Sequence, residues 1–161
     1  MTRSTSISIS PMRAPDDIAS VRDLFTAYVD ALGIDLSYQN FSAELATLPG
    51  KYAPPAGAIL LARNQQGDTV GCVALRPLDT PGHCEMKRLY VRPEARGHDL
   101  GRRLAITIIA CARTAGYARI VLDTFTSMQA ARQLYATLGF REIAAYYDNP
   151  NSDVVYLALD L

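Results

Sequence analysis

The sequence predicts an α/β sandwich: a mixed, mostly antiparallel sheet flanked by helices, in the order β-α-α-β-β-β-α-β-α-β-β. Three stretches carry that prediction. Cys84 to Leu104 reads as a strand, a glycine-bearing turn and the first turn of a helix. Ahead of it, two apolar runs joined through Asn64-Gln65-Gln66-Gly67-Asp68 form a hairpin. Behind it, strand, helix and strand follow in order, which makes two parallel neighbours joined by a right-handed crossover.

Each element has a local cause. Ser6 to Arg13 alternates serine with Ile7 and Ile9, the period-2 pattern of a half-buried first strand. Pro15-Asp16-Asp17 opens a helix with acidic residues where the helix dipole favours them. Ile18, Val21, Leu24, Phe25, Tyr28 and Leu32 form its apolar stripe, and Gly33 its C-cap. Phe41 to Leu48 is a shorter helix stopped by Pro49-Gly50. Loops on either side of it, GIDLSYQN and KYAPPAG, carry aromatic residues.

Ala58 to Arg63, Thr69 to Arg76 and Cys84 to Val91 make an antiparallel meander, interrupted by Pro77 and Pro81-Gly82. A helix after Gly97 runs to about Ala115 and ends at Gly116. Arg119 to Thr124 is a buried strand. Ser127 caps a helix that runs to Leu138 and closes at Gly139. Arg141 to Tyr147 and Val154 to Leu159 pair around Asp148-Asn149-Pro150-Asn151. In the central strand, alternation puts Cys84, Met86, Arg88 and Tyr90 on one face and Glu85, Lys87, Leu89 and Val91 on the other. Neither face is cleanly apolar, an irregularity expected near a functional site.

Composition narrows the class. The 161 residues form a single domain, 1–161, of ordinary globular make-up, 49% hydrophobic and 20% charged. Sixteen Lys and Arg balance sixteen Asp and Glu, which argues against an extended nucleic-acid or membrane footprint. No apolar run approaches the roughly 18 residues of a membrane span. Residues 1–10 lack the apolar core of a signal peptide. Cys72, Cys84 and Cys111 sit in apolar runs without metal-ligand spacing, as buried reduced thiols of a cytoplasmic protein do. No cluster implies a metal.

The turn after Val91 has its own chemistry. A strand that feeds a glycine loop at a helix N-terminus leaves unpaired N–H groups aimed at one spot, where the dipole also favours an anion. Arg96, Arg102 and Arg103 add charge around it. The stretch reads as a diphosphate cradle.

KRLYVRPEARGHDLGRRLA followed by AARQLYATLGF resembles the GNAT acetyltransferase superfamily, and the element order agrees over nearly the whole chain. The family's motif Arg/Gln-x-x-Gly-x-Gly/Ala falls on Arg96, Asp99 and Gly101. Leu134-Tyr135 with Gly139-Phe140 matches the family's tail motif. The resemblance implies acetyl-CoA as cosubstrate, an amine on a small molecule or peptide as acceptor, and direct attack within a ternary complex. It also implies that Arg96, Gly97, His98, Asp99, Gly101 and Arg102 hold the phosphates. The backbone of Leu89, Tyr90 and Val91 would then meet the pantetheine amides and the oxyanion. Family members are often dimers, so a homodimer is a further expectation.

Two residues are candidates for the chemistry. A lysine-like ammonium, with pKa around 10.4, must lose a proton before it attacks. Glu85 stands where some family members carry a glutamate base, acting directly or through a water. Tyr135 would give the departing thiolate a proton or a hydrogen bond. Tyr38, Phe41, Tyr52, Tyr146 and Tyr147 are candidates for the acceptor pocket; Tyr38, Phe41 and Tyr146 head that set. Asp99 departs from the family pattern, which has glycine there. Its carboxylate either caps the helix and competes with the diphosphate, or turns to solvent while its N–H still donates. The competing reading of the whole chain is a non-catalytic acyl-CoA-binding or sensing domain.

Overall fold

The structure is a computed structural model that describes residues 6–161. Its sheet is built from β1 (Ser8–Pro11), β2 (Ala58–Arg63), β3 (Thr69–Pro77), β4 (His83–Val91), β5 (Arg119–Phe125), β6 (Arg141–Ile143) and β7 (Val154–Asp160). The helices are α1 (Ile18–Leu32), α2 (Phe41–Ala46), α3 (Leu100–Thr114) and α4 (Gln129–Thr137). The strand order is β1-β2-β3-β4-β5-β7-β6. All neighbours are antiparallel except β4 and β5, which are parallel across the α3 crossover. This is the expected α/β sandwich with the expected element order.

Helix α3 covers one face. Leu104, Ala105, Ile108 and Ala112 are fully buried there, in one core with Leu60, Val73, Leu75 and Ile120. Helix α1 covers the other face with Val21, Leu24 and Phe25, all at 0% exposure, against Ile59, Leu61, Cys72 and Ala74. Full burial of each such side chain stabilises the fold by roughly 1.5–3 kcal/mol. Gly57 lets the turn at Gly50–Tyr52 lie on the sheet, since a Cβ there would meet the Tyr52 backbone at 2.6 Å.

The structure corrects the sequence reading in four places. The strand expected over Arg141 to Tyr147 ends at Ile143, because Tyr146 and Tyr147 leave the ladder to reach carboxylates on β4 and β5. The last two strands pair as expected, with β7 placed between β5 and β6 and paired with β5 along its whole length, from Arg119↔Asp160 to Phe125↔Val154. Ser127 does not cap α4, which starts at Gln129 behind Met128 with no side-chain cap. Cys111 is half-buried, whereas Cys72 and Cys84 are buried free thiols that burial pushes up to about 12.

The fourth correction concerns the faces of β4. Cys72 pairs with Tyr90 but Ala74 with Lys87, so Arg88 and Leu89 together oppose Val73. Arg88 takes up the extra length at φ +60°. This is a β-bulge, and it reverses the alternation partway along the strand. Cys84, Met86, Leu89 and Val91 therefore all join the α3 side. Tyr90 joins the α1 side, where Arg88 also meets Tyr28 and Phe41. Strict period-2 counting mixed the two faces; the bulge makes one apolar and the other charged.

Candidate active site

Strands β4 and β5 pair only through His83↔Arg119, Cys84↔Ile120 and Glu85↔Val121. Both strands continue, to Val91 and Phe125, without meeting again. Beyond Glu85 the edge of β4 that faces away from β3 has no strand partner among the described residues. A cleft opens in the fork, lined by Lys87, Arg88 and Leu89 of β4, Asp123 and Thr124 of β5, and Tyr135 of α4.

Glu85 sits at the crotch of the fork and is fully buried. Its Oε1 accepts from Arg76 Nε at 2.8 Å and lies 3.9 Å from Lys87 Nζ. Its Oε2 accepts the Tyr146 hydroxyl at 2.5 Å. Burial alone would push the carboxyl up. Lys87 and Arg76, with the bonds from Tyr146 and Arg76, outweigh burial and hold Glu85 below the usual carboxylate range. The same burial pulls the Lys87 ammonium down, with Glu85 opposing, and raises the Tyr146 phenol.

Tyr146 has a twin. Tyr147 donates to Asp123 Oδ2 on β5, and the two tyrosine rings lie 5.4 Å apart. Adjacent residues of one loop thus tie together the two strands that the fork separates. Tyr156 stacks edge-on against both, at 5.3 and 5.6 Å.

Tyr135 is buried in α4, edge-on to Phe140 at 5.7 Å. Burial, with Tyr28 and Asp123 nearby, raises its phenol so that it stays protonated. It lines the same cleft as Leu89 and Asp123. Phe41 packs its ring under the Arg88 guanidinium, 5.3 Å from Cζ to the centroid. Tyr52 donates to Glu44 Oε1 at 2.8 Å, and Glu44 Oε2 accepts from Arg88 Nε at 3.0 Å. Both rings support the charged wall of the site. The Tyr38 side chain lies outside what the structure describes.

At the other end, helix α3 opens with the N–H groups of Leu100, Gly101 and Arg102, which have no acceptor within the helix. A cavity of about 450 Å³ faces them, bordered by Val91, Arg96, Gly97, Asp99 and Thr137 among others. Gly97 has φ +89°, a loop conformation suited to glycine. Asp99 stands at φ +58° as the N-cap residue but makes no side-chain cap bond. Its carboxylate is 70% exposed and 3.6 Å from Arg102 Nε. Arg102 also donates to Thr137 Oγ1 at 2.8 Å, and Arg96 to the Val91 carbonyl at 3.1 Å. His98 is exposed on the loop. Arg103 points elsewhere, to the Ile7 carbonyl at 2.8 Å. The donors and cations fit a diphosphate, and the cavity is of the size that binds small ligands.

The sequence reading missed the polar wall around Glu85. Gln39, Glu44, Arg76 and Asp123 come from separate elements and meet Lys87 and Arg88 of β4 only in three dimensions. Two signals were present in the sequence: Lys87 and Arg88, which keep both faces of the central strand from being apolar, and Asp123, a carboxylate inside the apolar strand RIVLDT. Among the described residues no group of three or more His, Cys, Asp or Glu could hold a metal. No helix among them is long and apolar enough to cross a membrane.

A parallel pair forks beside a helix mouth with unpaired N–H groups, and comparison with known proteins places this arrangement in a family. Residues 18–140 match the acetyltransferase (GNAT) family. A Schizosaccharomyces pombe protein described as an uncharacterized N-acetyltransferase is 44% identical, over 100% of this chain and 99% of its own length. A Dictyostelium discoideum protein of the same description is 30% identical over 93% of this chain and 97% of its own. The chain belongs to the GNAT acetyltransferase family. Its fold matches a Staphylococcus aureus GNAT acetyltransferase with TM-score 0.79, at 21% identity over 96% of this chain and 99% of the other. It also matches a Salmonella typhimurium protein solved with its cofactor acetyl-CoA, with TM-score 0.68 at 20% identity over 97% and 94%.

Proposed function

We propose that the protein moves an acetyl group from acetyl-CoA to a primary amine by direct attack in a ternary complex. One observation carries the reading: β4 parts from β5 at Glu85, leaving a cleft lined by Lys87 to Leu89, and Val91 at the end of the same strand borders the cavity at the bare N–H groups of α3. The family membership supports it, as does acetyl-CoA in the Salmonella neighbour.

The backbone of Arg96, Gly97, His98, Asp99 and Gly101, with the Arg102 side chain, would hold the diphosphate. Acetyl-CoA supplies the thioester. The edge of β4 at Leu89, Tyr90 and Val91 that faces away from β3, which no strand among the described residues covers, hydrogen-bonds the pantetheine arm and the carbonyl oxygen as it gains charge. Glu85 takes the acceptor's proton, through a water or through the Tyr146 phenol that already donates to Oε2. Tyr135 keeps its proton at neutral pH and offers it to the departing sulfur. Tyr146, with Phe41 and Tyr38, belongs to the acceptor side.

The test is a thermal shift with acetyl-CoA followed by release of free thiol across an amine panel. Acetyl-CoA at about 100 times its dissociation constant adds about 2.7 kcal/mol, a rise of several degrees in Tm. Binding together with amine-dependent thiol is the expected result. Binding without thiol from any amine supports the non-catalytic acyl-CoA sensor instead.

A further inference from the structure

Two buried cations converge on one neutral oxygen. Lys87 Nζ donates to Gln39 Oε1 at 3.0 Å, and Arg88 Nη2 donates to the same atom at 3.0 Å. Their side chains are 5% and 2% exposed. Both line the cleft between the strands. Arg88 is matched by Glu44, through Nε at 3.0 Å and Nη2 at 3.2 Å. Lys87 is not matched so closely. The nearby Glu85 Oε1 stands 3.9 Å away and is already bonded to Arg76 at 2.8 Å.

A buried ammonium is costly unless an anion meets it. A neutral amide oxygen is a weak partner for an ammonium and a guanidinium together, while a carboxylate would answer both. The opposite wall supplies the other sign. Asp123 lines the same cavity, its Oδ2 held by the Tyr147 hydroxyl. The volume of this partly open cleft is about 70 Å³, room for roughly five waters. Positive charge on one wall and negative on the other, across a small space, is the complement of a small zwitterion.

We propose that the acceptor is a free α-amino acid, its carboxylate received by Lys87 and Arg88 in place of the Gln39 amide oxygen, its amine on the Asp123 side, from which the proton passes to Glu85 by the water or Tyr146 relay proposed above. Peptide and protein amines fit less well, because their α-carboxyl is an amide and brings no charge to Lys87. The assignment names the acceptor of the acetyl transfer proposed above, but its test reads binding as well as turnover.

Matched sets of ligands decide it: glycine, glycinamide and methylamine; L-alanine, L-alaninamide and ethylamine; and likewise through the small amino acids. Each is titrated calorimetrically into the full chain, with and without saturating CoA, and thiol release from acetyl-CoA is followed in parallel. At least one acid should bind about tenfold or more tighter than its amide and its amine, since a charge-assisted bond is lost in both. Lys87→Met should erase that preference. Gln39→Ala should strengthen binding of the acid by about threefold or more, because the two competing hydrogen bonds to the amide oxygen are gone. Equal binding across every set overturns the proposal, as does a preference that survives Lys87→Met. If Lys87→Met does not fold, Gln39→Ala decides, and unchanged acid affinity overturns it. Thiol released equally from acids and plain amines refutes the acceptor class and leaves acetyl transfer standing. Selective acid binding without thiol does the reverse.

Discussion

Tyr146 donates its phenolic proton to Glu85 across the fork, at 2.5 Å, from a loop 61 residues away in sequence. That bond closes the second oxygen of a carboxylate whose first is held by Arg76. Glu85 is therefore fixed in place and ionised, and any proton it takes up must displace or travel through one of these partners.

Removing the carboxylate should cost the chemistry more than the binding. Glu85→Gln is expected to lower kcat roughly 10²- to 10⁴-fold, the usual weight of a general base, with little change in the KM for acetyl-CoA. Steady-state kinetics of the variant check this. An unaltered rate and pH profile would remove Glu85 from the reaction.

The same residue links stability to pH. Its folded pKa lies below the ordinary value, so between the two values the unfolded chain binds more protons and stability rises with pH. The contribution is complete above about pH 4.3 and is lost as pH falls below that. Urea midpoints of wild type and Glu85→Gln between pH 3 and 6 should show a steeper acid slope in the wild type. Parallel slopes would contradict the assignment.

Tyr135→Phe keeps the ring against Phe140 and deletes only the hydroxyl. Stability should stay within about 0.5 kcal/mol, while kcat falls about tenfold or more. A variant that turns over normally would show that Tyr135 is packing alone.

Asp99 occupies a left-handed conformation, φ +58°, with its carboxylate in solvent. Asp99→Gly should relieve about 1 kcal/mol of backbone strain. Acetyl-CoA affinity should change less than about threefold, because an exposed charge is screened. Calorimetry of both proteins checks this; a gain of tenfold or more would mean that the carboxylate repels the diphosphate.

Arg88→Ala should be the most damaging single change. It strands Glu44, whose side chain is 13% exposed, and removes the residue that forms the bulge. Breaking such a buried pair costs about 3–5 kcal/mol. Arg88→Lys should recover only part of that, since an ammonium cannot reproduce the two bonds to Glu44. Chemical denaturation measures both.

What the sequence determined by itself was local. Apolar spacing placed α1 and α3, Gly33 and Gly116 ended them, and Arg96 to Gly101 marked a glycine turn at a helix mouth. The helix and its glycine turn depend on neighbours a few residues apart, and such signals survive in one dimension; the anion site read there is an expectation that acetyl-CoA binding tests. Only the tertiary structure decided the chemistry of the charged wall. The bulge at Arg88 reassigned the faces of β4, and Gln39, Arg76, Asp123 and Tyr147 came together from distant elements. Buried charges are selected by the partners that neutralise them, and those partners have no fixed spacing along the chain.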